Sequence, residues 1–367
     1  MKVPFQDLGP TTNKVKSEFL KKAEQLLDRG RFILGEEVLE FEKRWSAYIG
    51  TKYCIGASNG ADALYLSLIA CGIKAGDEVI TQGNAYNASV TAVLRVGAVP
   101  RFADISADTL EIDVAKIEPL ITAKTKAILP VHLYGQSGDM GAICAIAKKH
   151  NLKIVEDCAQ AHGAEFSGKK LGSFGQMNAF SFYPTKNLGA FGDAGAVVTD
   201  DELLYKECLA LRNLGQVAKN DHKYFGTNMR LDPIQAEALS LKIKFLDEAN
   251  TARVRAGKYY DELLAKSRSE IRPVSLTPKA TSVYHLYVVI LPQGADRTAL
   301  QRKLSEKEIE TAVHYPTPVY RQPFYKGRRD ACPITDSMAE RILSLPMFYG
   351  INKEQQEYVV EILGKAL

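Results

Sequence analysis

The sequence predicts an α/β protein: a mainly parallel sheet covered by helices on both faces, followed by a smaller α+β unit. Three observations carry this. Short apolar runs alternate with helical patterns between residues 53 and 199, as βαβ units do. A long helical pattern over residues 232–264 then interrupts the alternation. Beyond it the elements are fewer, so the expected units are residues 1–245 and 246–367. At 367 residues the chain can fill two such cores.

Each element follows from its local pattern. Residues 53–57 read as a strand, 58–62 as a small-residue turn and 63–72 as an amphipathic helix. Strands are expected at 78–81, 99–104, 126–134, 153–156, 180–182 and 194–199, with helices at 88–96, 116–121 and 140–150. In the long pattern, Asp232 is placed to cap, Pro233 suits a first turn and Gln235 completes a capping-box-like pair. Its length predicts a bend within 245–250. The remainder reads as a strand at 284–291, a helix at 297–307 and a strand at 310–314. A closing helix at 352–366 carries Tyr358, Val359, Ile362, Leu363 and Ala366 on one face.

Composition narrows the function classes. Hydrophobic residues make up 46% and charged residues 25%, an ordinary globular balance. The 47 basic and 43 acidic residues leave +4, too little and too scattered for a nucleic-acid partner. No run of about 18 apolar residues exists, so no membrane span is expected. Residues 1–10 show no apolar signal core, and a cytoplasmic location is expected. Cys54, Cys71, Cys144, Cys158 and Cys208 lie in apolar patterns and read as reduced core residues. No Cys, His and carboxylate spacing matches a metal site.

The chemistry-bearing residues begin with Lys186, in Ser181-Phe182-Tyr183-Pro184-Thr185-Lys186-Asn187-Leu188-Gly189. Burial in such an apolar, tightly turned segment disfavours the ammonium, and a neutral amine can form a Schiff base. Alone, the segment fits a lysine in a surface loop better, and the second signal reverses that. A second signal is the apolar run Ile154-Val155-Glu156, which ends on Asp157 with Gln160 just beyond. Ligands of open parallel sheets bind at such strand ends. Asp157 alone would also suit a helix cap, but a carboxylate facing a lysine imine is the arrangement that runs pyridoxal 5′-phosphate (PLP), because it keeps the pyridine nitrogen protonated. The third signal is a phosphate cup, Ser58-Asn59-Gly60-Ala61-Asp62, between a strand and a helix N-terminus. It matches neither a dinucleotide fingerprint nor a P-loop.

With these residues the chain resembles the DegT/DnrJ/EryC1/StrS family of PLP-dependent sugar aminotransferases almost end to end. Gly30-Arg31-Phe32-Ile33-Leu34-Gly35, Val131-His132-Leu133-Tyr134-Gly135-Gln136, the segments 156–163 and 181–189, Gly226-Thr227-Asn228-Met229-Arg230-Leu231-Asp232 and His314-Tyr315-Pro316 carry the resemblance. It implies the fold-type I (aspartate aminotransferase-like) architecture, with a mostly parallel seven-stranded sheet and a smaller C-terminal domain, and a homodimer with shared active sites. It implies that Lys186 carries the cofactor, Asp157 partners the pyridine nitrogen and Gln160 contacts the ring hydroxyl. Ser181 and the Gly60-Ala61 backbone would hold the phosphate, joined by Asn228 of the other subunit, and Tyr86 would stack on the ring. Tyr183, Lys219, His314 and Tyr315 would line the sugar site. Two departures stand out: Ala61 where threonine is common, and Asn84-Ala85-Tyr86-Asn87 in place of the usual Asn-Thr-aromatic.

The resemblance implies transfer of an amino group from glutamate to a nucleotide-linked keto-sugar. Tyr183 and Asp62 look more like the branch that aminates C3, which points to a dTDP-3-keto-6-deoxyhexose; the alternative is a 4-keto sugar. A sugar dehydratase of the same family would carry histidine in place of Lys186. A non-catalytic PLP-binding regulator would not need the complete set of Lys186, Asp157, Gln160 and Ser181. Lipopolysaccharide, S-layer glycan and antibiotic sugars are all compatible products.

Overall fold

The computed structural model describes residues 1–267 and 269–366. Two helices, α1 (Gly9–Arg29) and α2 (Glu36–Ile49), lead into β1 (Tyr53–Ala57), α3 (Gly60–Ala70), β2 (Glu78–Gln82), α4 (Asn87–Arg95) and β3 (Val99–Ala103). Next come β4 (Thr125–Leu129), α5 (Met140–Lys149), β5 (Lys153–Asp157), a ribbon of β6 (Glu165–Phe166) and β7 (Lys169–Lys170), β8 (Met177–Ser181), β9 (Gly195–Thr199) and α6 (Glu202–Leu211). A hairpin of β10 (Gln216–Ala218) and β11 (Asp221–His222) precedes α7 (Pro233–Lys242) and α8 (Leu246–Lys266). The chain closes with β12 (Arg272–Pro273), β13 (Tyr287–Ile290), α9 (Arg297–Glu306), α10 (Pro333–Arg341), β14 (Ile342–Leu345) and α11 (Lys353–Ala366).

The central sheet has seven strands in the order β1-β9-β8-β5-β4-β2-β3. β9 pairs antiparallel with both of its neighbours, and the other pairings are parallel. One apolar core, with Phe41, Trp45, Phe180 and Phe182, packs one face; a second, with Leu64, Leu66, Leu68 and Val155, packs the other. This explains why the strands read as continuous apolar runs. A second sheet, β12-β13-β14, builds a third core with Tyr260, Leu300 and Leu363. Val3 is buried in that core and bridges to Ile309, so the first residues pack with the C-terminal elements. Among the described residues no helix is long and apolar enough to cross a membrane.

Several elements differ from the sequence reading. α1 and α2 were not anticipated. The strand expected at 126–134 stops at Leu129, because Pro130 has no N–H to continue the ladder. In place of the helix expected at 116–121 the chain makes two short 3₁₀ turns, Val114–Lys116 after the Asp113 cap and Glu118–Leu120 with Pro119 in its first turn. Residues 310–314 are not a strand: the chain there makes only a bridge, Ala312 to Ser344. The long helical pattern breaks at a 3₁₀ turn, Ile243–Phe245, just ahead of the expected bend. Asp232 precedes α7 without a side-chain cap, and Gln235 instead accepts a 2.9 Å hydrogen bond from the Phe191 N–H.

Candidate active site

The cleft lies where the parallel strands end. β5 finishes on Asp157, β8 finishes on Ser181, and α3 starts at Gly60. Asn59 caps α3 by accepting from the Asp62 N–H at 2.8 Å, which leaves the first-turn amides around Gly60 and Ala61 free to meet an anion. Gly60 is required by close approach: a Cβ there would stand 2.4 Å from the Ser181 Cβ. The helix terminus therefore presses directly against the end of β8 and brings the Ser181 hydroxyl to its amides.

Lys186 sits in the loop between β8 and β9. The loop is tied by Lys186 N–H to Tyr183 O at 2.8 Å and Ala190 N–H to Phe182 O at 2.8 Å. A Cβ at Gly189 would fall 2.2 Å from Pro184 O, so only glycine permits this turn. The lysine keeps part of its surface open to the cleft, yet surrounding protein desolvates the amine and lowers its pKa to about 8, with the Asp157 charge pulling the other way.

Asp157 is buried and held from two sides. The Ser89 hydroxyl donates to Oδ2 at 2.6 Å, and the Ala159 N–H donates to Oδ1 at 3.1 Å. Ser89 stands one turn into α4, whose N-cap position is Tyr86. The Tyr86 ring is half exposed and lies 5.0 Å from the Tyr315 ring. Gln160 accepts from the Tyr134 N–H at 2.7 Å and donates to the Tyr315 hydroxyl at 3.1 Å. Burial pushes the Tyr315 hydroxyl pKa up and lowers that of His314 to about 4, so both rings are neutral near pH 7. His314 Nδ1 lies 2.9 Å from the Ser344 hydroxyl.

One residue before Asp157, Glu156 is fully enclosed. His132 donates Nε2–H to it at 3.0 Å, and the N–H groups of Gly172, Phe174 and Gly175 donate at 2.7–2.9 Å. Burial raises the Glu156 carboxyl pKa, but His132 and these amides outweigh it and leave the group ionised. With Cys158 these residues approach metal-ligand spacing, but the carboxylate oxygens are already spent on donors.

A model of the DegT/DnrJ/EryC1/StrS aminotransferase family matches residues 13–364. The chain belongs to this family. It is 42% identical over 364 residues to the dTDP-3-amino-3,6-dideoxy-α-D-galactopyranose transaminase of Aneurinibacillus thermoaerophilus, covering 99% of each chain. It is 41% identical over 372 residues to a pleiotropic regulatory protein of Geobacillus stearothermophilus, covering 100% of this chain and 98% of the relative. The crystal structure of DesV from S. venezuelae in complex with a ketimine intermediate superposes with a TM-score of 0.95 at 38% identity, covering 99% and 98% of the two chains. The fold is therefore that of the family's aminotransferases, and the protein is a transaminase.

Of the residues singled out from the sequence, Gly60, Ala61, Ser181, Asp157, Gln160 and Lys186 border one cleft that is open to solvent. Tyr86, Tyr183, His314 and Tyr315 line the same cleft. Lys219 and Asn228 do not: Lys219 lies exposed in the β10–β11 hairpin and Asn228 is exposed beside Asn213. Sequence reasoning missed Ser89, His132 and His285. Ser89 carried a usable signal, a hydroxyl three residues after Tyr86 on an otherwise apolar helical face.

Proposed function

We propose that the protein aminates C3 of a dTDP-linked 3-keto-6-deoxyhexose, with glutamate as donor and PLP as cofactor. The coarser statement, a PLP-dependent aminotransferase of nucleotide sugars, comes with the family. The pairing of the desolvated Lys186 amine with the buried Asp157 carboxylate, beside the free amides of α3, carries the aminotransferase part of the reading, and the C3 part is supported by Tyr183 in the cleft and by the likeness to a dTDP-3-amino-sugar transaminase.

These residues fit the cofactor. The amides of Gly60 and Ala61 and the Ser181 hydroxyl would hold its phosphate, Asp157 its ring nitrogen and Gln160 its ring hydroxyl, with Tyr86 against the ring face. When bound, PLP supplies an electron sink for the substrate carbon. Lys186 would carry the cofactor at rest and, once displaced, move a proton between neighbouring carbons; a pKa near 8 leaves a useful neutral fraction at working pH. Asp157, fixed by Ser89, would hold the ring nitrogen. Tyr183, His314 and Tyr315 would orient the sugar so that its keto carbon meets the reacting amine at about 3–3.5 Å.

We further propose a division into residues 1–245 and 246–367, and a homodimer. The dimer is supported by the two outlying residues: Lys219 and Asn228 do not line the cleft of their own subunit, which leaves them for the cleft of another. Exposed Val217 and Phe225, on and just beyond the hairpin, suit a covered surface. The name of the Geobacillus relative favours a regulatory reading, but a regulator would not need an unspent Lys186 amine facing Asp157.

The test compares turnover of the 3-keto and 4-keto isomers of one dTDP-6-deoxyhexose with glutamate, the product position being read by NMR. The C3 reading expects a clear preference for the 3-keto isomer. Preference for the 4-keto isomer overturns it and leaves the aminotransferase standing.

A further inference from the structure

His285 lines the cleft beside Lys186 and is almost completely buried. Its ring contacts Asn187, the residue that follows the lysine: Nδ1 lies 3.1 Å from the Asn187 Oδ1. Which nitrogen carries the proton follows from the other end of Asn187. The Asn187 amide NH₂ donates to the Val283 carbonyl at 3.0 Å and to the Asn250 Oδ1 at 2.9 Å. A backbone carbonyl can only accept, so the NH₂ must face Val283 and the oxygen must face His285. An oxygen acceptor there requires a proton on Nδ1.

The same logic fixes the rest of the chain. The Asn250 Nδ2 donates to His162 O at 2.8 Å, and His162 Nε2 donates to Ser181 O at 2.8 Å. The network thus runs from His285 past Lys186 to the end of β8. With Nδ1 protonated, the neutral His285 ring has a lone pair on Nε2. That atom takes no hydrogen bond within the described residues and is not sealed off from solvent, so it opens to the cleft.

We propose that His285 is a positioning residue for Lys186: Asn187 locks its imidazole in the neutral Nδ1–H form, and Nε2, which is not bonded to the amine in this structure, accepts a hydrogen bond from it when Lys186 turns toward the ring. The role depends on the transaminase reading only for its purpose, namely holding a displaced Lys186 where it can shuttle a proton. The surroundings keep the ring neutral. Burial comes first, then the positive charges of Lys186 and Arg253 and the nearby His162 and His314, and together they hold the His285 pKa well below the usual histidine value. An imidazolium would lose the lone pair and repel the ammonium it is meant to hold.

The first measurement uses the cofactor-free wild-type chain and no activity. Long-range ¹H–¹⁵N correlation on histidine-labelled protein should show one ring as a neutral Nδ1–H tautomer from pH 5 to 9, assigned by its loss in His285→Gln. An Nε2–H tautomer, or an imidazolium at pH 7, overturns the proposal. Asn187→Asp should stabilise the imidazolium and bring its titration into the observed range. The second measurement follows the Lys186 amine by ¹³C reductive methylation. An acceptor favours the ammonium, so His285→Leu should lower the Lys186 pKa by about half a unit or more. His285→Gln, which can still present an oxygen, should restore most of it. Equal Lys186 titration in wild type, His285→Leu and His285→Gln would also overturn the proposal. Since both measurements are made without substrate, failure of the transaminase reading would leave their outcomes unchanged.

Discussion

Lys186 and Lys242 both lose solvent, and in each the amine pKa falls to about 8 with burial as the leading cause. Their settings differ. Lys242, in the last turn of α7, donates to Gly189 O at 2.7 Å and lies 4.0 Å from the Phe191 ring centre. Its amine is committed to closing the back of the catalytic loop. The Lys186 amine has no hydrogen bond among the described residues, feels the Asp157 charge and borders the cleft. A lowered lysine pKa therefore reports burial. Reactivity also needs a free amine, a carboxylate opposite it and room for a reactant.

The sharpest way to break the comparison is to remove each lysine. Lys186→Ala should reduce turnover by at least about 10⁴-fold, the upper range for loss of a positioned acid–base group, while the fold persists. Lys242→Met should keep turnover within about tenfold, because it takes away only a loop tether. Borohydride should fix the cofactor on the peptide containing Lys186 in wild type and in Lys242→Met. Labelling of Lys242, or comparable losses in the two variants, would erase the distinction.

Asp157→Asn probes the carboxylate that separates the two settings. The amide keeps the shape and can still accept from Ser89, but it loses the charge that holds the ring nitrogen protonated. Turnover should fall by about 10³-fold, a typical cost for one preorganised electrostatic group. The cofactor absorbance should change, while the circular dichroism should not. A near-normal rate would reduce Asp157 to a structural residue. Ser89→Ala should act in the same direction and more weakly, by about tenfold in turnover, since it removes one hydrogen bond to a charged group. Stopped-flow rates on the two variants and their combination would show whether the effects share one route. Full additivity would separate Ser89 from Asp157.

The Lys186 side of this comparison was legible in the sequence because its signals are local. The apolar run ending on Asp157, the glycine-turned lysine segment and the small-residue turn before α3 each lie within about ten residues. What was not legible is carried by distant contacts. Ser89 reaches Asp157 across 68 positions and His285 reaches Asn187 across 98; the helical pattern marks Ser89 as an inward hydroxyl, but no periodicity names the partner of either. Lys242 looks like an ordinary last-turn lysine of a helix, and only packing against the catalytic loop buries it. α1 passed unnoticed for a related reason: it is mostly exposed and polar, with Val15 and Leu26 its only buried residues. The strand expected at 310–314 shows the opposite error: its apolar residues are partly buried against neighbours, with one bridge in place of a ladder.

The smallest expected effect is on stability, and it sharpens the comparison from the energetic side. In the cofactor-free chain the Lys186 amine has a folded pKa of about 8 against the ordinary lysine value of 10.5. Below pH 8 the amine is charged in both the folded and unfolded states, and the folded state bears the full desolvation cost. Between pH 8 and 10.5 the folded protein releases its proton first, the unfolded chain binds more protons, and stability from this group rises with pH. Above 10.5 the amine is neutral in both states and the cost is gone. Lys186→Met should therefore melt higher than wild type at pH 7, by on the order of 2–4 °C, and the gap should close as pH rises past 10. Lys242→Met loses a hydrogen bond along with its charge, so its gain at pH 7 should be smaller or absent. The check is a pair of cofactor-free melting series across pH 6–10.5. If Lys186→Met melts below wild type at pH 7, or the gap widens with pH, the buried cation at this site is not a cost, and the reactive lysine would be held charged until the cofactor arrives.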